Sequence, residues 1–286
     1  MGWRTSYFVA GASGLALASI IALLVRDPKS FMEKIKARKG GYEDIEIPRA
    51  EPEKKEGEGK KKSKNPFYMF THMGETAMHS MRTPVSKWVT LAGVARKIPD
   101  MAISCFLPMY ILHAYPAFKT QYATFNAAML AICGFTSNIL GGMLGDRLET
   151  KFPKARVWIC IVSALASIPL ISLACMGGHH FWLTMVAMTL YVLFTGAFYP
   201  NSVSILQNSS EPGEETSKMF SAYQFFCHSA QTVSPIIFGA ILAFFGGSHS
   251  DPSMFGKLIS GFAAVGYGIH AICFWIAGKK YDEVLK

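Results

Sequence analysis

Residues 157–176 read VWICIVSALASIPLISLACM, twenty positions without one charged side chain. A helix rises 1.5 Å per residue, so about 20 apolar residues are needed to cross the roughly 30 Å hydrocarbon layer of a bilayer. This stretch meets that length, and its reading decides the fold. Working outward, six further stretches of the same character lie at roughly 5–25, 86–113, 121–145, 181–207, 218–245 and 255–277. The pattern predicts an all-α membrane protein with seven transmembrane helices.

Composition agrees. Of 286 residues, 51% are apolar and only 16% are charged, with a mean hydropathy of +0.26. A soluble domain carries about 25% charged residues to keep its surface wet. The six cysteines (Cys105, Cys133, Cys160, Cys175, Cys227 and Cys273) stand singly inside apolar runs, without metal-ligand spacing. These features exclude a secreted disulfide scaffold, a zinc module and an ordinary soluble enzyme. No Gly-rich phosphate loop, nucleophile elbow or paired catalytic carboxylates appear, so no enzyme activity, cofactor or metal is expected.

The net charge of +9 does not imply a nucleic-acid partner. Thirteen of the 28 Lys and Arg residues lie between Arg26 and Lys64, mixed with nine acidic residues, so the excess is local. The first apolar run ends at Arg26-Asp27-Pro28 with no small-residue cleavage site beside it, and is read as a retained span rather than a signal peptide. Orientation follows the basic residues. With the amino terminus outside, the segments on the cytoplasmic (or matrix) side are 26–66, 146–156, 208–217 and the tail, holding 13, 4, 0 and 3 basic residues. The expected division is a first span at 1–25 and a charged cytoplasmic linker at 26–66. An amphipathic interfacial helix follows at 67–83, then a six-helix bundle at 84–278 and a cytoplasmic tail at 279–286. The alternative for 67–83 is an extension of the second span.

Charge at membrane depth costs about 3 kcal/mol on insertion scales, so it faces protein or water. Arg96 and Asp100 are four apart in the second span and share a helix face. They are read as an ion pair lining a cavity, or as interfacial charges that snorkel. Asn126 and Asn138 lie on the third span. Tyr191, Thr195 and Tyr199 form one stripe, and Gln224, His228 and Gln231 a second. Each stripe lines a cavity or holds helices together. His113, His179, His180 and His270 are read as interfacial anchors.

Three passages resemble the major facilitator transporters. Gly2-Trp3-Arg4-Thr5-Ser6-Tyr7-Phe8, with the apolar run behind it, is similar to that family's sixth span. Gly141-Gly142-Met143-Leu144-Gly145-Asp146-Arg147-Leu148 resembles its signature loop, and Phe106-Leu107-Pro108-Met109-Tyr110 resembles a phrase of spinster-like members. The resemblance implies a six-helix half-transporter bundle preceded by the sixth span. It also implies a gating latch at Gly142, Asp146 and Arg147. In that latch Asp146 accepts from Arg147, from a neighbouring helix terminus, or from both. The chain departs from the pattern in having Glu149 where a second glycine is usual. The implied function is alternating-access transport of a small or lipid-like organic solute. The alternative is a degenerate, non-transporting half serving as a structural subunit of a large membrane complex, for instance in the mitochondrial inner membrane. Expected partners are membrane lipids together with an amino-terminal transporter half, a second copy, or other subunits.

Overall fold

The structure, a computed structural model, describes residues 3–24, 81, 83–176, 180–210, 214–245 and 252–284. The linker 26–66 and nearly all of the expected interfacial helix 67–83 lie outside the described residues. The chain divides into two units, Met1–Glu58 and Gly59–Lys286. The first contains helix α1 (Trp3–Leu24), an apolar helix of 22 residues.

The second unit is a helical bundle, with no strand among its described residues. Helix α2 (Pro84–Ala114) begins where Thr83 accepts the Ser86 N–H at 3.2 Å and Pro84, which has no N–H to lose, takes the first position. A 3₁₀ turn (Pro116–Phe118) leads into α3 (Lys119–Met129), a π-helical turn (Leu130–Gly134) and α4 (Phe135–Glu149). Then come α5 (Ala155–Met176), α6 (Phe181–Gly196), α7 (Phe198–Asn208), α8 (Glu214–Phe244) and α9 (Pro252–Val284). The break between α6 and α7 falls at Ala197, three residues before Pro200, whose missing N–H and bulky ring deny the Gly196 carbonyl its helical partner.

Among the described residues, five helical stretches are long and apolar enough to cross a membrane: Pro116–Glu149, Ala155–Met176, Phe181–Asn208, Glu215–Phe244 and Pro252–Tyr281. The expected count of seven therefore stands at five by that measure. Helix α2 has the length but carries Lys87, Arg96, Lys97 and Asp100. Within the expected tail at 279–286, α9 runs on to Val284 and buries Tyr281 in the core. The run Lys279-Lys280 did not end the helix, since both side chains can reach outward while the apolar face continues.

The core consists of two apolar clusters stacked along the bundle. One gathers Ile103 and Leu107 of α2, Ile171 of α5, Met185 of α6, Phe238 of α8 and Ile259 of α9. The other gathers Val89 of α2, Cys160 of α5, Ile205 of α7, Cys227 of α8 and Phe274 of α9. In each of α2, α5 and α9 the two clusters meet near the helix middle, and polar side chains occupy that junction.

Candidate functional site

Arg96 is fully buried at the junction. Its Nη1 donates to Ser163 Oγ at 3.3 Å and its Nη2 to the Thr195 carbonyl at 3.0 Å. Its Nε faces Asp100 Oδ2 at 3.8 Å, an ion pair beyond hydrogen-bond reach. The guanidinium carbon lies 4.6 Å from the Phe198 ring centroid and 5.3 Å from that of Tyr267. One side chain on α2 thus touches α5, α6, α7 and α9. The snorkelling alternative for this pair is excluded for Arg96, which no solvent reaches.

Asp100 is only partly buried, with 18% of its side chain exposed. Tyr267 Oη donates to Asp100 Oδ1 at 2.7 Å and lies 2.6 Å from Tyr191 Oη. With the carboxylate ionised, the single Tyr267 proton goes to Asp100, so Tyr191 donates to Tyr267. Ser167 Oγ lies 3.1 Å from Thr195 Oγ1 and donates to the Ser163 carbonyl at 2.6 Å. The sequence-predicted residues Arg96, Asp100, Tyr191 and Thr195 therefore come together. Ser163, Ser167 and Tyr267 complete the layer unpredicted, because lone small or aromatic residues in an apolar helix carry no periodic signal.

The other candidates fall elsewhere. Tyr199 does not join Tyr191 and Thr195 in the layer around Arg96. Its hydroxyl instead accepts from Gln224 Nε2 at 3.1 Å. The second stripe also divides, with Gln224 turned towards Tyr199 while His228 is exposed and its Nδ1 lies 2.8 Å from Gln231 Oε1. Asn126 is half-buried on α3, and Asn138 is exposed and donates to the Gly134 carbonyl at 2.7 Å. Neither joins the Arg96 layer. His270, expected as an interfacial anchor, is fully buried beside that layer, its Nδ1 2.9 Å from the Ala92 carbonyl and its ring against Phe198 and Phe274. The error arose because a single histidine in an apolar run gives no clue to its depth.

The signature loop forms a second polar group at the end of α4. Asp146 Oδ1 pairs with Arg156 Nη2 at 2.7 Å, and Glu149 Oε2 with Arg156 Nε at 2.7 Å. Arg147, expected in the latch, is exposed instead. Consecutive residues point about 100° apart on a helix, so Arg147 cannot face Asp146, whereas Arg156 at the start of α5 can. Of the three glycines in this stretch, two make the close approach of helices. A β-carbon at Gly141 would collide with Ala197, and one at Gly145 with Asn201. At Gly142 it would meet only Pro200, at 3.6 Å. The contact is tightened by Ser137 donating to the Leu193 carbonyl and by Asn201 Nδ2 donating to the Gly141 carbonyl at 2.9 Å.

The sequence model of the Major Facilitator Superfamily matches residues 1–235 of this chain. The chain belongs to that superfamily, and is an integral membrane protein. Among solved structures it is similar to a bacterial homologue of the human lysosomal transporter Spinster, in an inward-facing and unoccupied conformation. That likeness has a TM-score of 0.54 at 16% identity and covers 99% of this chain, which spans 58% of the homologue's length. No curated protein matches it significantly in sequence.

Proposed function

We propose that this chain supplies one wall of a secondary transporter moving a small or lipid-like organic solute by alternating access. An amino-terminal half or a second copy supplies the other wall. The carrying observation is the exposed His228–Gln231 pair at the middle of α8, a 31-residue helix. A polar pair at that depth is costly against lipid, so this face meets water or another bundle. Asp100, partly open and tied to buried Arg96, is the second polar group at comparable depth. The Asp146–Arg156–Glu149 group joins α4 to α5 at the bundle end that basic residues assign to the cytoplasmic side.

The test is uptake into liposomes of a fluorescent lysophospholipid and of small organic anions, by the chain reconstituted with an amino-terminal bundle. Wild type should move at least one of them. Asp100→Asn and His228→Ala should reduce that uptake about tenfold or more, and the exposed His228→Ala should do so with a melting temperature close to wild type. Asp146→Asn should shift the balance of inward-open and outward-open states several-fold, as loss of about 1 kcal/mol from one exposed ion pair would. Absence of transport in every arrangement would overturn this proposal in favour of a non-transporting structural subunit.

A further inference from the structure

Helices α4, α5 and α6 enclose a groove of about 680 Å³ whose lining is almost wholly apolar. Leu140, Leu144 and Leu148 line one side, and Phe152, Trp158 and Val162 another. Most of these are exposed: Leu144 by 49%, Phe152 by 62%, Trp158 by 56% and Val162 by 52%. The groove spans α4 from Ser137 to Leu148, a rise of about 16 Å at 1.5 Å per residue. That matches one leaflet, half of the roughly 30 Å hydrocarbon layer.

The end of the groove has its own chemistry. Leu148 lies in the last turn of α4, Phe152 in the connection and Ala155 at the start of α5, and the same stretch carries Arg147, Lys151 and Lys154. Asp146 and Glu149 are both engaged by Arg156. Arg147 and Lys151 are exposed, so the rim is net positive. Trp158, one turn into α5, sits where aromatic rings favour the boundary between acyl chains and headgroups.

We infer that this groove is a binding site for an anionic phospholipid. One acyl chain lies between α4, α5 and α6, and the phosphate sits against Arg147 and Lys151. A neutral lipid would fill the same groove without the charge contribution, which is worth about five-fold in affinity for each basic residue near the surface. The groove is built from α4, α5 and α6 and shares no residue with the His228–Gln231 pair of α8, so it does not depend on the transport reading.

The test is native mass spectrometry of the full purified chain, with phosphatidylglycerol or phosphatidylcholine of identical acyl chains added at equal ratio. Wild type should retain phosphatidylglycerol about five-fold or more over phosphatidylcholine. The double variant Arg147→Gln, Lys151→Gln should lower that preference several-fold. Leu144→Trp should fill the groove and reduce retention by one lipid. The basic segment between Arg26 and Lys64 also attracts anionic headgroups, and what it retains should be the same in wild type and in the groove variant. Val162→Phe serves if the first groove variant does not fold, judged by its melting curve. Equal retention of the two lipids by wild type, or an undiminished adduct in a folded groove variant, would overturn the inference.

Discussion

Arg96 shows how much one residue can organise. Its charge is removed from water, compensated at 3.8 Å by Asp100, and held by Ser163, the Thr195 carbonyl and two aromatic faces. Arg96→Ala strands Asp100 beside an apolar hole and frees the Thr195 carbonyl at the α6–α7 break. Removing one partner of such a buried pair costs about 3 kcal/mol or more. Asp100→Asn should cost less, because the guanidinium keeps its other four neighbours. Thermal unfolding of both variants in one detergent should give that order, and a milder effect for Arg96→Ala would refute it. The pairing was legible from the four-residue spacing. Its other partners were not, since Thr195 lies 99 residues away and Tyr267 is 167 residues from Asp100.

At the level of elements, the contact of α4 with α6 and α7 depends on which small residues face it. Ser137, Gly141 and Gly145 recur every fourth position and meet Gly196, Ala197 and Asn201. Close backbone approach of this kind is how helices associate in lipid, where burial of apolar surface gives little driving force. Gly145→Val should therefore lower stability by about 1–3 kcal/mol through overpacking against Asn201. Gly142→Ala should be neutral or slightly stabilising, because the β-carbon fits and a flexible helix position is removed. Melting temperatures of the pair distinguish the two, and equal values would argue against the seam. In the sequence Gly141, Gly142 and Gly145 are three equivalent small residues of one phrase. Only the rotation of α4 separates them.

For the whole molecule, the orientation we propose from the basic-residue pattern has the amino terminus outside and the carboxyl terminus on the cytoplasmic side. Membrane-impermeant maleimide added from outside should label a cysteine introduced at Gly178 or Ser250. It should miss one introduced at Ser63 or Gly213 in intact cells, in a background with the six native cysteines replaced. The reverse pattern would invert the topology, and with it the leaflet that feeds the proposed lipid groove.

Helix content, five of the apolar spans and the family were legible in the sequence alone. Each depends on a local run: about twenty apolar residues must cross a bilayer as a helix, because lipid offers no partners for a bare backbone. The residues that act together were decided only by tertiary structure. Helix rotation turned Arg147 outward and Arg156 towards Asp146, and it split both polar stripes. The junction of two apolar clusters drew Tyr267 and His270 inward beside Arg96. The physical reason is that the helical period sets which side chains share a face. Which face is buried, and against what, is set by contacts between helices far apart in the chain.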